Sequence, residues 1–171
     1  MKPSKCVLFK TEIKFLRHQV SIHGTEPLPD KTEIIRDWPT PECLKDVIAF
    51  FGLASYYRRF VRGFATIAEP PTRLTKKHIH FHWTEEAQTA FDRLKQELIN
   101  ATSLAFPYPD WPCIIDTDAS DVGLGAAISQ SIDGIERPIA FFSRVMNQAQ
   151  IIVLHDESRS PLFRHSQHFR H

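Results

Sequence analysis

Residues Cys113–Gln130 read "CIIDTDASDVGLGAAISQ". A short apolar run leads into three carboxylates within six residues, Asp116, Asp118 and Asp121, then into Gly123-x-Gly125 and a second apolar run. Apolar runs bounded by clusters of Asp, Ser and Gly read as a strand, a turn and a returning strand. A carboxylate at the end of a buried strand is a place to hold a hard cation, which takes several oxygen ligands. Asp116 and Asp118 are two apart and share one face of a regular strand. Asp116 is read as a supporting acid, Asp121 as a turn residue, and Ser120 as a side chain that bonds the turn backbone. Gly123 and Gly125 are read as permitting a tight return. A metal site needs partners, and only 41 residues follow Gln130.

Toward the C-terminus, "SIDGIE" is a hairpin turn signal, and a third strand is expected over Arg137–Ser143, after strands over Cys113–Asp118 and Leu124–Ser131. From Ile151 the texture changes. "IIVLHDESRSPLFRHSQHFRH" has four histidines and three arginines in 21 residues and no clear period, so no structure is assigned to it.

Toward the N-terminus, "FPYPDWP" reads as a rigid linker. "WTEEAQTAFDRLKQELINA" reads as a helix capped by Thr84, with Ala87, Phe91, Leu94 and Leu98 as its apolar stripe. "HIHFHW" (78–83) reads as a short strand that sets His78, His80 and His82 on one face, taken as a surface run rather than a zinc site. A further helix is expected over roughly Ile67–Thr75. "TPECLKDVIAFFGLASYYRRFV" reads as a strong helix whose first turn is Thr40–Pro41. Its apolar stripe is Leu44, Val47, Ile48, Phe51, Ala54, Tyr57 and Val61. A proline-rich connector with a short helix near Asp30–Asp37 precedes that helix, and residues 6–24 read as a β-hairpin or two edge strands. The class is α+β: a helical module joined to the start of a β-meander.

The 171 residues have an ordinary globular composition, 42% hydrophobic and 24% charged, with net charge +1. Local charge says more. From Glu42 to Lys77 there are seven Lys or Arg against three acids, net +4, which marks a basic face. The three cysteines form no C-x-x-C pair, which argues against a zinc knuckle or disulfide framework and fits a reducing, intracellular compartment, cytoplasmic or nuclear. No apolar run approaches the roughly 20 residues of a membrane span, so no membrane partner is expected.

Ile48, Gly52 and Tyr56 are four apart and line one helix face. A glycine inside a helix costs roughly 1 kcal/mol relative to alanine but admits another backbone. By spacing alone, that face suits either helix–helix packing or a nucleic-acid backbone.

These motifs, in order, carry a resemblance. "FLRHQVS", "GLASYYRRF", "WTEEAQTAFDRLK", "DTDASDVGLGA" and "RPIAFFSR" closely resemble the Pol polyprotein of gypsy-type (Metaviridae) LTR retrotransposons, over residues 5 to about 149. The resemblance implies the end of a reverse transcriptase palm at 1–24 and a thumb-like helical module at 25–77. It further implies a connection at 78–110, the first strands of an RNase H-like domain at 111–150, and a divergent tail at 151–171. It implies duplex or RNA–DNA hybrid contact by Gly52, Tyr56, Arg58, Arg59 and Arg62, with Phe15 and His18 on the hairpin gripping a primer strand. Where the family usually reads F-L-G-H, this chain has Arg17, and a positive φ there would strain it.

The resemblance implies that Asp118 is the first ligand of a two-Mg²⁺ RNase H site. The family's other ligands are a glutamate on a following helix and two later aspartates. Glu157 lies near the first of these places without its motif, and Pro161 breaks a helix there. The polymerase motif Y-x-D-D is also absent from these residues. The implied function is a piece of a reverse transcriptase/RNase H polyprotein, catalytically incomplete by itself, whose partners are hybrid or duplex nucleic acid and the remainder of Pol. The alternative is a non-catalytic nucleic-acid-binding remnant or a decayed element product.

Overall fold

The computed structural model describes residues 9–120, 122–147 and 150. Three short strands open the chain: β1 (Glu12–Phe15), β2 (His18–Ser21) and β3 (Gly24–Pro27), an antiparallel sheet in that order. Sequence reading found only the first hairpin, because Pro27 and Pro29 make the third strand look like a connector. β3 also bridges to the chain beyond the helices: the Thr25 and Leu104 amides each donate to the other's carbonyl, at 2.8 and 2.9 Å. Gly24 permits that approach. Its φ is +137°, and a Cβ there would stand 2.3 Å from the Leu104 carbonyl oxygen.

Four helices follow: α1 (Pro29–Arg36), α2 (Leu44–Ala54), α3 (Phe64–Arg73) and α4 (Glu85–Ile99). α4 forms as expected. Thr84 Oγ1 accepts from the Ala87 amide at 3.2 Å, and Ala87, Phe91, Leu94 and Leu98 are buried. α2 differs from expectation at both ends. It starts at Leu44 rather than Thr40–Pro41, because the Asp46 carboxylate accepts from the Glu42 and Cys43 amides and so closes the first turn there. It ends at Ala54, and Ser55–Phe60 continue as a tighter 3-10 turn. With three residues per turn, Tyr57 and Phe60 eclipse and are both buried, while Tyr56, Arg58 and Arg59 stay outside. The expected stripe is therefore corrected: Leu44 and Ile48 are exposed and Phe50 takes a core place.

The main core joins Ile35, Val47, Phe50, Phe51, Ala54, Tyr57, Phe60, Phe91, Leu94 and Leu98. Phe50 lies at its centre, with ring centroids 4.6 Å from Phe91 and 5.7 Å from Trp38. Residues 79–84 are irregular, and His78 has a positive φ of 68°. The expected strand over 78–83 is thus absent and the three histidines share no strand face. Phe81 and Trp83 nevertheless pack on the core, as aromatic residues before a helix commonly do.

The second sheet is β4 (Ile114–Ala119), β5 (Gly123–Ile132) and β6 (Ile135–Val145), antiparallel in chain order. The hairpin turn expected at "SIDGIE" is present, with Asp133 and Gly134 at φ 55° and 77°. A bulge between Ile128 and Ser129 places Pro138 opposite Ser129. The Pro138 carbonyl accepts from Ala105 at 2.8 Å, so residues 104–105 tie to both sheets. The linker 106–112 is organised by one buried side chain. Gln130 Oε1 accepts from the Tyr108 amide at 2.9 Å, and its Nε2 donates to the carbonyls of Tyr108 and Trp111 at 3.0 and 2.9 Å. Among the described residues, no helix is long and apolar enough to cross a membrane.

Candidate nucleic-acid interface and carboxylate face

The first hairpin docks on the 3-10 turn that follows α2, through two adjacent tyrosines. Phe15 pairs with His18, so Leu16 and Arg17 form a two-residue turn, with φ of 44° and 62°. That geometry favours Asn-Gly, and each ordinary residue placed in it costs roughly 1–2 kcal/mol. The strain anticipated at Arg17 is real and extends to Leu16. Two hydrogen bonds offset it: Tyr57 Oη donates to the Arg17 carbonyl at 2.8 Å, and Tyr56 Oη donates to the Leu16 carbonyl. Tyr57 is fully buried, and burial pushes its hydroxyl pKa upward, so it remains a donor.

His18 sits between these rings. It stacks on Tyr56 at 5.2 Å and 15°, meets Tyr57 edge-on at 5.7 Å, and lies 5.5 Å from Phe60. Its Nδ1 is buried without a hydrogen-bond partner among the described residues. Burial first, and then the nearby Arg59 charge, hold its pKa below the ordinary 6.5. At neutral pH the ring is uncharged and half-buried, so it joins hairpin to helix and offers no charge to a phosphate. Phe15, by contrast, is 58% exposed.

The sign of the resulting pH dependence is fixed. The unfolded chain binds a proton on His18 at a higher pH than the folded chain does. Stability contributed by the neutral ring is intact above pH 6.5 and falls as pH drops toward the lowered folded pKa. Thermal unfolding followed from pH 7.5 to about 5 should show this loss, and His18→Phe should flatten it. An equal loss in the variant would assign the effect elsewhere.

Ile48 on α2 and Tyr56 in the 3-10 turn that continues it are 55% and 40% exposed, and Gly52 between them faces solvent. A Cβ built on Gly52 meets nothing within 4 Å. Helix–helix packing is therefore not the use of this glycine among the described residues. Arg58 and Arg59 are exposed beside the strip, and none of Arg58, Arg59 and Arg62 is in an ion pair among the described residues. Arg59 rests 5.8 Å from the Phe60 ring centroid.

Arg62 belongs to a different feature. It borders a cleft of about 50 Å³ lined also by Gly63, Thr66, Asp116, Asp118, Ser120 and Gly123. Asp116 and Asp118 pair with Ala127 and Gly125 and share one face of β4, as their spacing requires. That face turns toward α3, where Ser143 Oγ accepts from the Ala65 amide at 2.9 Å. Ser120 bonds its turn as expected, with Oγ 3.2 Å from both the amide and the carbonyl of Gly123. Gly123 also closes that turn, its carbonyl accepting from the Ser120 amide at 2.9 Å. Gly123 admits α3, since its Cβ would stand 2.8 Å from Thr66 Oγ1, whereas Gly125 has room for one at ordinary contact distance. Asp121 and Glu157 lie outside the described residues.

Among the described residues, the carboxylate face does not fit a pair of Mg²⁺ ions. Hard cations want six or more oxygens each, and the cleft offers two carboxylates with a guanidinium on its rim. Among the described residues, no three His, Cys, Asp or Glu side chains gather into a metal-holding group.

The order and geometry of these elements agree with comparisons to known proteins. Residues 83–171 match the RNase H-like domain found in reverse transcriptase, and that span includes the tail set apart by its composition. The chain is 37% identical over 150 residues to the retrovirus-related Pol polyprotein from transposon 412 of Drosophila melanogaster, covering 88% of this chain and 12% of the polyprotein. It is 36% identical over 159 residues to the corresponding polyprotein from transposon gypsy of the same organism, covering 85% of this chain and 15% of that one. The foamy viral protease-reverse transcriptase in complex with dsDNA shares the fold at TM-score 0.73 and 21% identity, over 93% of this chain and 35% of that one. The same viral protein in complex with RNA/DNA hybrid gives TM-score 0.72 and 22% identity, over 93% of this chain and 23% of that one. The chain thus spans about one-eighth of the first of these relatives. The matched span opens at Trp83 and includes α4 and the β-meander that bears Asp118, and the chain belongs to the RNase H-like domain family of reverse transcriptases, in the form carried by gypsy-type retrotransposon Pol polyproteins.

Proposed function

We propose that this chain binds the backbone of a duplex or RNA–DNA hybrid along the exposed strip Ile48–Gly52–Tyr56, with Arg58 and Arg59 as phosphate contacts. Residues 25–77 are then a thumb-like module and residues 1–24 the end of a palm. The observation that carries the reading is the open Gly52: a helix interior gives up stability for a glycine, and nothing in the described chain occupies the space it leaves. Exposed arginines beside that space, in no ion pair among the described residues, suit phosphates, which position a protein on a duplex without reading sequence. Relatives solved with dsDNA and with RNA/DNA hybrid support the same choice of ligand. Phe15 extends the strip from the hairpin. His18 acts by positioning that hairpin, and Arg62, set at the carboxylate cleft, contributes to the basic field rather than to the strip.

Asp118 is the first carboxylate position of an RNase H-like site that the described residues do not complete. In the parent polyprotein, RNA-directed DNA synthesis and hybrid cleavage with Mg²⁺ are the proposed activities, supplied together with the remainder of Pol. One experiment addresses binding and cleavage together. The purified chain is mixed with a labelled RNA–DNA hybrid of about 20 base pairs in Mg²⁺ buffer, and both anisotropy and strand integrity are followed. Expected are binding at low salt, loss of binding as salt rises, and an intact RNA strand. No binding at low salt contradicts the interface, and Mg²⁺-dependent cleavage abolished by Asp118→Asn contradicts the incomplete site.

A further inference from the structure

We infer that Arg17, at the tip of the first hairpin, is a phosphate-contacting residue that extends the strip on α2, an inference that rests on the interface proposed above.

Three observations meet at this residue. The first is its backbone. Arg17 holds φ 62° next to Leu16 at 44°, in a turn that glycine or asparagine would adopt with less strain. Strained backbone that the surroundings hold in place clusters at ligand-contacting sites. The second is how it is held. The Leu16 and Arg17 carbonyls both accept tyrosine hydroxyls, and His18 is wedged between the same rings, so the turn is fixed to the helix that carries Gly52. The third is the side chain. It is exposed, it has no anionic partner among the described residues, and its guanidinium lies 5.7 Å from the centroid of the Tyr56 ring.

The arrangement fixes the base of a cation at the edge of the strip. The planar face of a guanidinium rests on an aromatic ring while its N–H edges remain free for oxygen acceptors. An arginine fork matches the two non-bridging oxygens of a phosphodiester. Because Tyr56 belongs both to the strip and to the turn clamp, a backbone lying over Gly52 and Tyr56 comes within reach of Arg17. A residue that strains its own turn thereby adds a charge that glycine in the same place would lack.

The test uses the full chain and a labelled RNA–DNA hybrid of about 20 base pairs, with affinity measured by anisotropy at several salt concentrations. Arg17→Gly and Arg17→Gln should each flatten the slope of log K against log salt by about one unit and weaken binding about tenfold at low salt. Arg17→Lys should keep the slope. Arg17→Gly should melt no lower than the parent chain, since glycine accepts the turn, and this separates weakened binding from impaired folding. Unchanged slope and affinity in both Arg17→Gly and Arg17→Gln, with binding still sensitive to Arg58 and Arg59, would overturn the role of Arg17 alone. Failure of the parent chain to bind would overturn the interface and Arg17 with it.

Discussion

Gly24→Ala should destabilise the chain by about 3 kcal/mol, the largest loss expected from adding a single methyl group. Two independent terms add at this site. The backbone at φ +137° lies where L side chains rarely go, and the new Cβ would stand 2.3 Å from the Leu104 carbonyl oxygen. The obstacle is backbone, itself fixed by the paired hydrogen bonds between Thr25 and Leu104, so it has no side chain to swing aside. The strain reaches further than the first sheet, because Ala105 bonds to Pro138 in β6. Thermal unfolding by circular dichroism should show a Tm lower by about 6–12 °C, given about 2–4 °C per kcal/mol for a chain of this size. A Tm within about 2 °C of the parent would mean that the Thr25–Leu104 bridge is not formed as described.

The second large effect concerns binding. Arg58→Ala combined with Arg59→Ala should weaken hybrid binding on the order of a hundredfold at low salt, since a hydrogen bond to a charged group contributes about 1.5–3 kcal/mol. The same change should flatten the slope of log K against log salt by about two units, one for each phosphate that is no longer neutralised. Neither arginine is in an ion pair among the described residues and both are exposed, so fold stability should change little. Arg93→Ala, on the exposed side of α4, is the matched control and should leave the slope as it was. An undiminished slope in the double variant would place the phosphate contacts elsewhere.

Parts of this fold are plain in the residue order because local chemistry specifies them. Thr84, Glu85 and Glu86 begin α4, and its buried stripe recurs at helical spacing, so no distant contact is needed to define it. Asp133-Gly134 marks its hairpin for the same reason. The features that sequence reading missed depend on partners far along the chain. Tyr56 and Tyr57 reach the hairpin turn 40 residues away, and nothing in "ASYYRRF" announces that two of its hydroxyls serve carbonyls there. The 3-10 turn that aims them follows from packing Tyr57 and Phe60 together, a tertiary choice that helical periodicity does not show. Gln130 looks like a strand-end polar residue until the linker folds over it. "HIHFHW" shows the opposite error, since alternation over six residues is too short to separate a strand from an irregular run.

The candidate site divides in the same way. Asp116 and Asp118 share a face because a strand has period two, and Ile48 and Gly52 share one because they are four apart on a helix, although the exposure of Ile48 runs against its place in the expected apolar stripe. That Arg62 would leave Arg58 and Arg59 for the carboxylate cleft was not legible, because it depends on Gly63 turning the chain with φ 68° into α3. That His18 would be enclosed by three aromatic rings was equally hidden, since those rings come from a segment nearly 40 residues on.

On the proposed interface, the space above Gly52 is held open for a nucleic-acid backbone. Gly52→Leu probes that space, because a Cβ built there meets no atom of the described protein within 4 Å beyond its own stretch of helix. The variant should fold as well as the parent or gain up to about 1 kcal/mol from better helix propensity. Measured by anisotropy against the same RNA–DNA hybrid, it should bind at least tenfold more weakly at about 50 mM salt, with its arginines and their salt dependence still in place. Unchanged affinity in a fully folded Gly52→Leu chain would mean that no nucleic-acid backbone lies over Gly52.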